Sequence, residues 1–329
     1  MPPAPLPAPV LALLAEQDSV VARSQLLDDL GVPAWQLRRW LTRGRLVVVH
    51  PGVYVAHTGP LTWQQRGWAA VLHARPAALH GISALRAAEG PGRRGHDDTG
   101  PVHVAVARDR PVRGLRTAGG VVVHRVARFG DDAVQWNRQP PRQRYEEASV
   151  EVALRCATRT DGLAVLAAGV QARRTVAAKL ADALRARRRV RDRAFWVGVL
   201  RDVADGACSV LEQAYVERVE RAHGLPVAER QQRGTLRCGV VYRDNAYDGL
   251  LVELDGRLHH DTTRQRDADM ERDLDSLVEG RATVRLSYGQ VFDRPCATAQ
   301  RIGMLLVQRG WEGAVTPCGA GCVAARAAA

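Results

Sequence analysis

Three features of the chain predict an α+β, multidomain fold. Before residue 60, three short helical segments are followed by two β-type runs around a Pro-Gly turn. Between about 61 and 205 the apolar pattern is mostly helical. Beyond that, the β-type runs VVYRDNAY and LLVELD meet at Asp248-Gly249 between helical stretches. The reading is an N-terminal winged helix (1–60), a mixed, mostly helical connector (61–205), a C-terminal α/β core with a mixed sheet flanked by helices (206–313), and a cysteine-containing tail (314–329). At 329 residues the chain is long enough for several cores.

Composition narrows the function. A hydrophobic share of 46% excludes wholesale disorder, and a formal net charge of +12 points to a polyanionic partner. Lys179 is the only lysine, a bias that GC-rich codon usage explains. Codon usage leaves the net charge unexplained, and arginine is the better fork for phosphate and guanine. The start, MPPAPLPAPVLALLAEQD, has no basic segment and too short an apolar run for a signal or anchor. Six cysteines without a signal fit a reducing, cytoplasmic setting. With no P-loop or GxGxxG fingerprint, a nucleotide cofactor has no support.

At the N-terminus, residues 8–16 read as a helix and SQLLDDLG as a second, capped by Ser24 and closed by Gly31. PAWQLRRWLTRG is the third, between Pro33 and Gly44. Leu37, Trp40 and Leu41 form its buried stripe, while Gln36, Arg39 and Arg43 take the opposite side. RLVVVHPGVYVAH then supplies the hairpin. In a winged helix the third helix enters the major groove, where Gln and Arg are base-reading types. The residues expected to contact double-stranded DNA are Gln36, Arg38, Arg39, Arg43 and Arg45. A solvated charged face is the alternative.

Residues 62–90 read as continuing helically, 94–120 as rich in Gly, Arg and Pro, and PVHVAVAR and GGVVVHRV as two β segments. The basic run RARRRVRDR at 185–193 suits an exposed helix face.

The densest chemistry lies in the last domain. Leu211, Tyr215 and Val219 form a buried stripe, with Gly224 and Pro226 ending the helix. If Asp248-Gly249 is a two-residue turn, Asp244 lies directly opposite Glu253, and Asp255 shares Glu253's face. Three carboxylates on one face repel unless a cation lies between them, and a hard divalent ion such as Mg²⁺ or Mn²⁺ takes such oxygen ligands. A turn-flanking surface acid is the alternative for Asp244. Ser209-Val210-Leu211-Glu212 also reads as a capping box, which gives Glu212 a purely structural alternative.

Over about 207–312, the order of helix, hairpin with Asp244, Glu253-Leu254-Asp255-Gly256, later His260, helix and strand resembles the very-short-patch-repair-like branch of the PD-(D/E)XK nucleases. The resemblance implies a restriction-endonuclease-like core and metal-dependent phosphodiester hydrolysis. Asp244 matches the invariant acid, Glu253-Leu254-Asp255 takes the place of (D/E)-x-K, Glu212 matches a metal-supporting acid, and His260 a proton-handling histidine. The motif lysine is absent, so transition-state charge falls to the metal, to Arg257 or Arg272, or to His260. Asp273, on the helix beside the site, is a further candidate. Residues 8–90, with HPGVYV as the most recognisable piece, are similar to the winged-helix domain of AbiEi-type antitoxins of type IV toxin–antitoxin systems. That resemblance implies operator binding and a cognate toxin. It leaves a DNA-binding regulator with a degenerate nuclease fold as the alternative to an endonuclease.

Cys318 and Cys322, with Cys296 and Cys238, offer thiolates for a structural Zn²⁺, although C-x₃-C spacing alone is weak.

Overall fold

The computed structural model describes residues 6–93, 96–110, 119–205, 209–236, 239–255, 263–278 and 280–326. The side chains of 203, 205, 209, 231–243, 263–269, 272 and 325–326 are outside that description. The chain forms two compact units, residues 1–152 and 153–329. The boundary falls inside the stretch 61–205, which contributes to both.

The first unit begins with α1 (Ala8–Glu16), β1 (Val20–Ala22), a short wide-turned helix at Gln25–Asp29, α2 (Ala34–Thr42), β2 (Val47–His50) and β3 (Val53–Val55). The strands pair antiparallel in the order β1-β3-β2. Pro51-Gly52 makes the turn, and Gly52 supplies the φ of +77° that side chains other than glycine rarely adopt. Strand side chains alternate, so the sheet feeds two cores. Val21 and Tyr54 join Val10, Leu26, Leu37, Trp40 and Leu46. Val20, Ala22, Val53 and Val55 pack with Trp68, Ala69 and Leu72 of α3 (Trp63–His73). Burial on both faces explains why VVA and VYV are continuous apolar runs.

Two local expectations need correction here. Ser24 sits in helical conformation and makes no capping bond. The buried Gln25 does that work instead: its Oε1 accepts from Ala22 N at 2.9 Å, and its amide pairs reciprocally with Gln17. Nor are residues 62–90 one helix. α3, started by a Thr62/Gln65 capping box, ends at His73, β4 (Ala78–Leu79) follows, and α4 spans Gly81–Glu89. Pro76 causes the break, because it lacks an N–H and excludes its predecessor from helical geometry.

β4 belongs to a five-stranded sheet with β5 (Val102–Ala107), β6 (Val121–Val126), β7 (Val134–Gln135) and β8 (Arg142–Gln143), in the order β6-β5-β4-β8-β7. β5 and β6, the two β segments expected from the sequence, are parallel neighbours. α5 (Tyr145–Ala153) closes the unit.

The second unit opens with α6 (Arg159–Gln171), α7 (Ala177–Arg185) and α8 (Arg193–Asp205). Residues 186–192 are a connection between α7 and α8, so the basic run is not the exposed helix face expected. Arg193 donates to the carbonyls of Leu184 and Arg187, and the arginines gather where the α7 carbonyl ends favour positive charge. α9 (Ser209–Tyr215) continues through tighter and wider turns to His223, and Gly224 ends it in the left-handed region. Leu211, Tyr215 and Val219 are each 0% exposed, as their spacing predicts.

Next come β9 (Glu229–Leu236), β10 (Gly239–Tyr247), β11 (Leu250–Asp255), α10 (Thr263–Val278), β12 (Ala282–Ser287) and α11 (Pro295–Val307). The sheet order is β12-β11-β10-β9, with β11 and β12 parallel and the other pairs antiparallel. Asn245 pairs Val252, Ala246 pairs Leu251 and Tyr247 pairs Leu250, which is the register expected from an Asp248-Gly249 turn.

Candidate nucleic-acid interface, carboxylate cleft and metal centre

α2 is a small amphipathic lever. Leu37 and Trp40 are buried, Leu41 is half-buried, and Arg38, Arg39 and Arg43 are exposed. Gln36 and Arg45 are half-buried. The Leu37–Trp40 anchor therefore holds the helix against the sheet while its arginines project into solvent, the disposition that phosphate or base contact requires.

In the second unit, the end of β10 and the start of α9 form one wall of a cleft of ≈ 510 Å³ lined by Glu212, Gln213, Val216, Glu217, Arg221, Arg230, Asp244 and Asn245. The Leu254 backbone N–H donates to Asp244 Oδ2 at 2.7 Å, tying this acid to β11. Burial pushes the Glu212 carboxyl up from its ordinary range, reinforced by the charges of Asp244 and Asp202. Asp202 is itself buried and accepts from Val210 N at 2.8 Å, so a carboxylate from α8 serves the start of α9. Glu212 and Asp244 thus share one cleft as mutually repelling acids. A divalent cation or a shared proton would relieve them.

Glu253 is differently placed. It is half-buried, and its Oε2 accepts from Arg285 Nε at 3.1 Å, from the facing position on β12. The same guanidinium donates to Asp273 Oδ1 at 2.9 Å, so Arg285 bridges β11 to α10 and offsets both charges. Asp273 thus pairs across elements. Asp255 is exposed at the end of β11. His260 and Arg257 lie outside the described residues, as does the side chain of Arg272.

A third group assembles around the C-terminal cysteines. His223, Cys296, Cys318 and Cys322 bring four potential ligand atoms within 4.8 Å of one another. Cys296 lies in the first turn of α11, His223 ends the α9 tract, and Cys318 and Cys322 flank a turn closed by Cys322 N to Gly319 O at 3.0 Å. Backbone N–H groups of Cys318 and Ala324 around the Cys322 sulfur draw its thiol down to about 6. Burial pushes Cys296 up to about 12. His223 was missed in the sequence, where Cys238, outside the described residues, stood as the fourth candidate. The available signal was positional: three cysteines need a fourth donor, and His223 closes a helix just before Gly224.

Residues 9–57 match a family model described as transcriptional regulator, AbiEi antitoxin. The match spans α1 to just past β3, the segment that carries the α2 arginines. No curated protein matches the chain. Among the described residues, no helix is long and apolar enough to cross a membrane.

Proposed function

We propose that the protein is a DNA-binding transcriptional regulator of antitoxin type, paired with a cognate toxin. The observation that carries this reading is the match of residues 9–57 to the regulator family. The helix, strand, two-helix and hairpin order of that segment supports a winged helix with α2 as the major-groove helix. In that role Arg38, Arg39 and Arg43 meet phosphates and guanine edges, Gln36 suits adenine, and Arg45 lies toward the backbone beside the hairpin.

A second reading is favoured by one specific observation, the convergence of Glu212 and Asp244 in a cleft at one edge of an α-β-β-β-α-β arrangement. In it, Asp244, Glu253 and Asp255 hold Mg²⁺ or Mn²⁺, Glu212 supports them, and His260 moves a proton. Arg257 or Arg272 would meet phosphate charge, and the metal would activate water. The Arg285 bridge weighs against this, because Glu253 already has its counter-charge.

The full chain incubated with supercoiled plasmid carrying its own upstream region, in Mg²⁺, Mn²⁺ or EDTA, separates the two. The regulator reading expects retarded but intact DNA in every condition. Metal-dependent nicking that disappears in Asp244→Ala would replace it with the endonuclease.

A further inference from the structure

We propose that His223, Cys296, Cys318 and Cys322 form a closed, structural Zn²⁺ site that pins residues 308–322 to the body of the C-terminal unit. The four ligand atoms lie within 4.8 Å of one another, a spread that a tetrahedral zinc site allows. Zinc–sulfur bonds of about 2.3 Å place neighbouring sulfurs about 3.8 Å apart, and sulfur–nitrogen edges are slightly shorter. Cys296 Sγ lies 3.6 Å from Cys318 Sγ, and Cys322 Sγ lies 3.6 Å from His223 Nε2. The Cys296–Cys318 separation is far beyond a disulfide bond of about 2.05 Å.

The histidine is oriented for the task. His223 is 1% exposed, and its Nδ1 faces the Val219 carbonyl at 3.1 Å, a bond that sets the tautomer leaving Nε2 as a lone-pair donor toward the sulfurs. A soft set of three thiolates and one imidazole selects zinc over Mg²⁺ or Ca²⁺, whose ligands are oxygens. Four protein donors leave no open position for water or substrate, which makes the ion a clamp rather than a hydrolytic centre.

The need for a clamp is visible in the chain it holds. Of residues 311–320, all but Trp311 and Val315 are exposed, so this stretch has almost no core of its own. Thr316 N donates to His223 O at 2.9 Å, and Val315 lies so close to α11 that a Cβ on Gly303 would fall 2.1 Å from it. The ion would join three segments far apart in sequence, at 223, 296 and 318–322, and because the unfolded chain has no formed site its binding free energy would add to folding stability.

Metal analysis of the full chain, purified under reducing conditions and reconstituted with zinc, tests this. One zinc per chain is expected, retained in Asp244→Ala and Cys156→Ser. Cys318→Ser, at an exposed position, is expected to weaken zinc binding by more than about 100-fold. Replacement by Co²⁺ should give the absorption of a tetrahedral thiolate-rich centre, and chelation should open tryptic cleavage after Arg309. Zinc well below one per chain, full retention in Cys318→Ser, bound iron instead, or a Cys296–Cys318 disulfide in the reduced preparation would each overturn the assignment.

Discussion

Glu220 is 1% exposed, yet its charge is met from three sides. Arg230 pairs with Oε1, and Oε2 accepts from Tyr247 OH at 3.1 Å and Ala228 N at 3.2 Å. Removing such a group strands its donors, so Glu220→Ala is expected to cost about 2–4 kcal/mol in urea unfolding, the lower end reflecting the partly exposed Arg230. Glu212 behaves in the opposite way. Burial and neighbouring acids raise its folded-state value above that of the unfolded chain, so its ionised form opposes folding. That penalty is complete above the folded value, and it disappears as pH falls below the unfolded one. Glu212→Gln should therefore raise the melting temperature at neutral pH, with the gain shrinking through the acidic range. Equal melting temperatures at pH 7 would refute the electrostatic account of the cleft.

At the scale of elements, close approaches make tests of packing. Gly303 on α11 leaves no room for a methyl group beside Val315, so Gly303→Ala should destabilise by about 1–3 kcal/mol and increase proteolysis near Arg309. Where local chemistry decides, the elements were legible in the sequence. Pro51-Gly52 marks the first hairpin, Asp248-Gly249 fixes the β10–β11 register, and Leu211, Tyr215 and Val219 mark the buried face of α9. What was illegible depends on partners distant in sequence. β9 reads as polar because it is an edge strand with the sequence ERQQRGTL. Ser24 loses its cap to a buried glutamine bonded back to β1 and α1. Arg285 lies 32 residues from Glu253, and their pairing follows only from the parallel β11–β12 contact. The Cys–His group likewise needed the fold, since its members are separated by up to 99 residues.

On the scale of the whole molecule, a net charge of +12 and a regulator-type N-terminal segment point to the same class of partner. The first unit carries the exposed arginines of α2, and the second carries the acids and the Cys–His group. If DNA recognition resides in α2, altering it should abolish specific binding while leaving the C-terminal unit's metal content and stability unchanged. The most direct measurement is fluorescence anisotropy of the full chain with a duplex from its own upstream region and with a shuffled duplex, across a salt series, beside Arg39→Ala/Arg43→Ala. We expect tighter binding to the upstream duplex, with that preference lost in the double variant and the slope of log K against log salt flattened by about 1–2. Equal affinity for both duplexes, or a double variant that binds like the wild type, would contradict a regulator that reads DNA through α2.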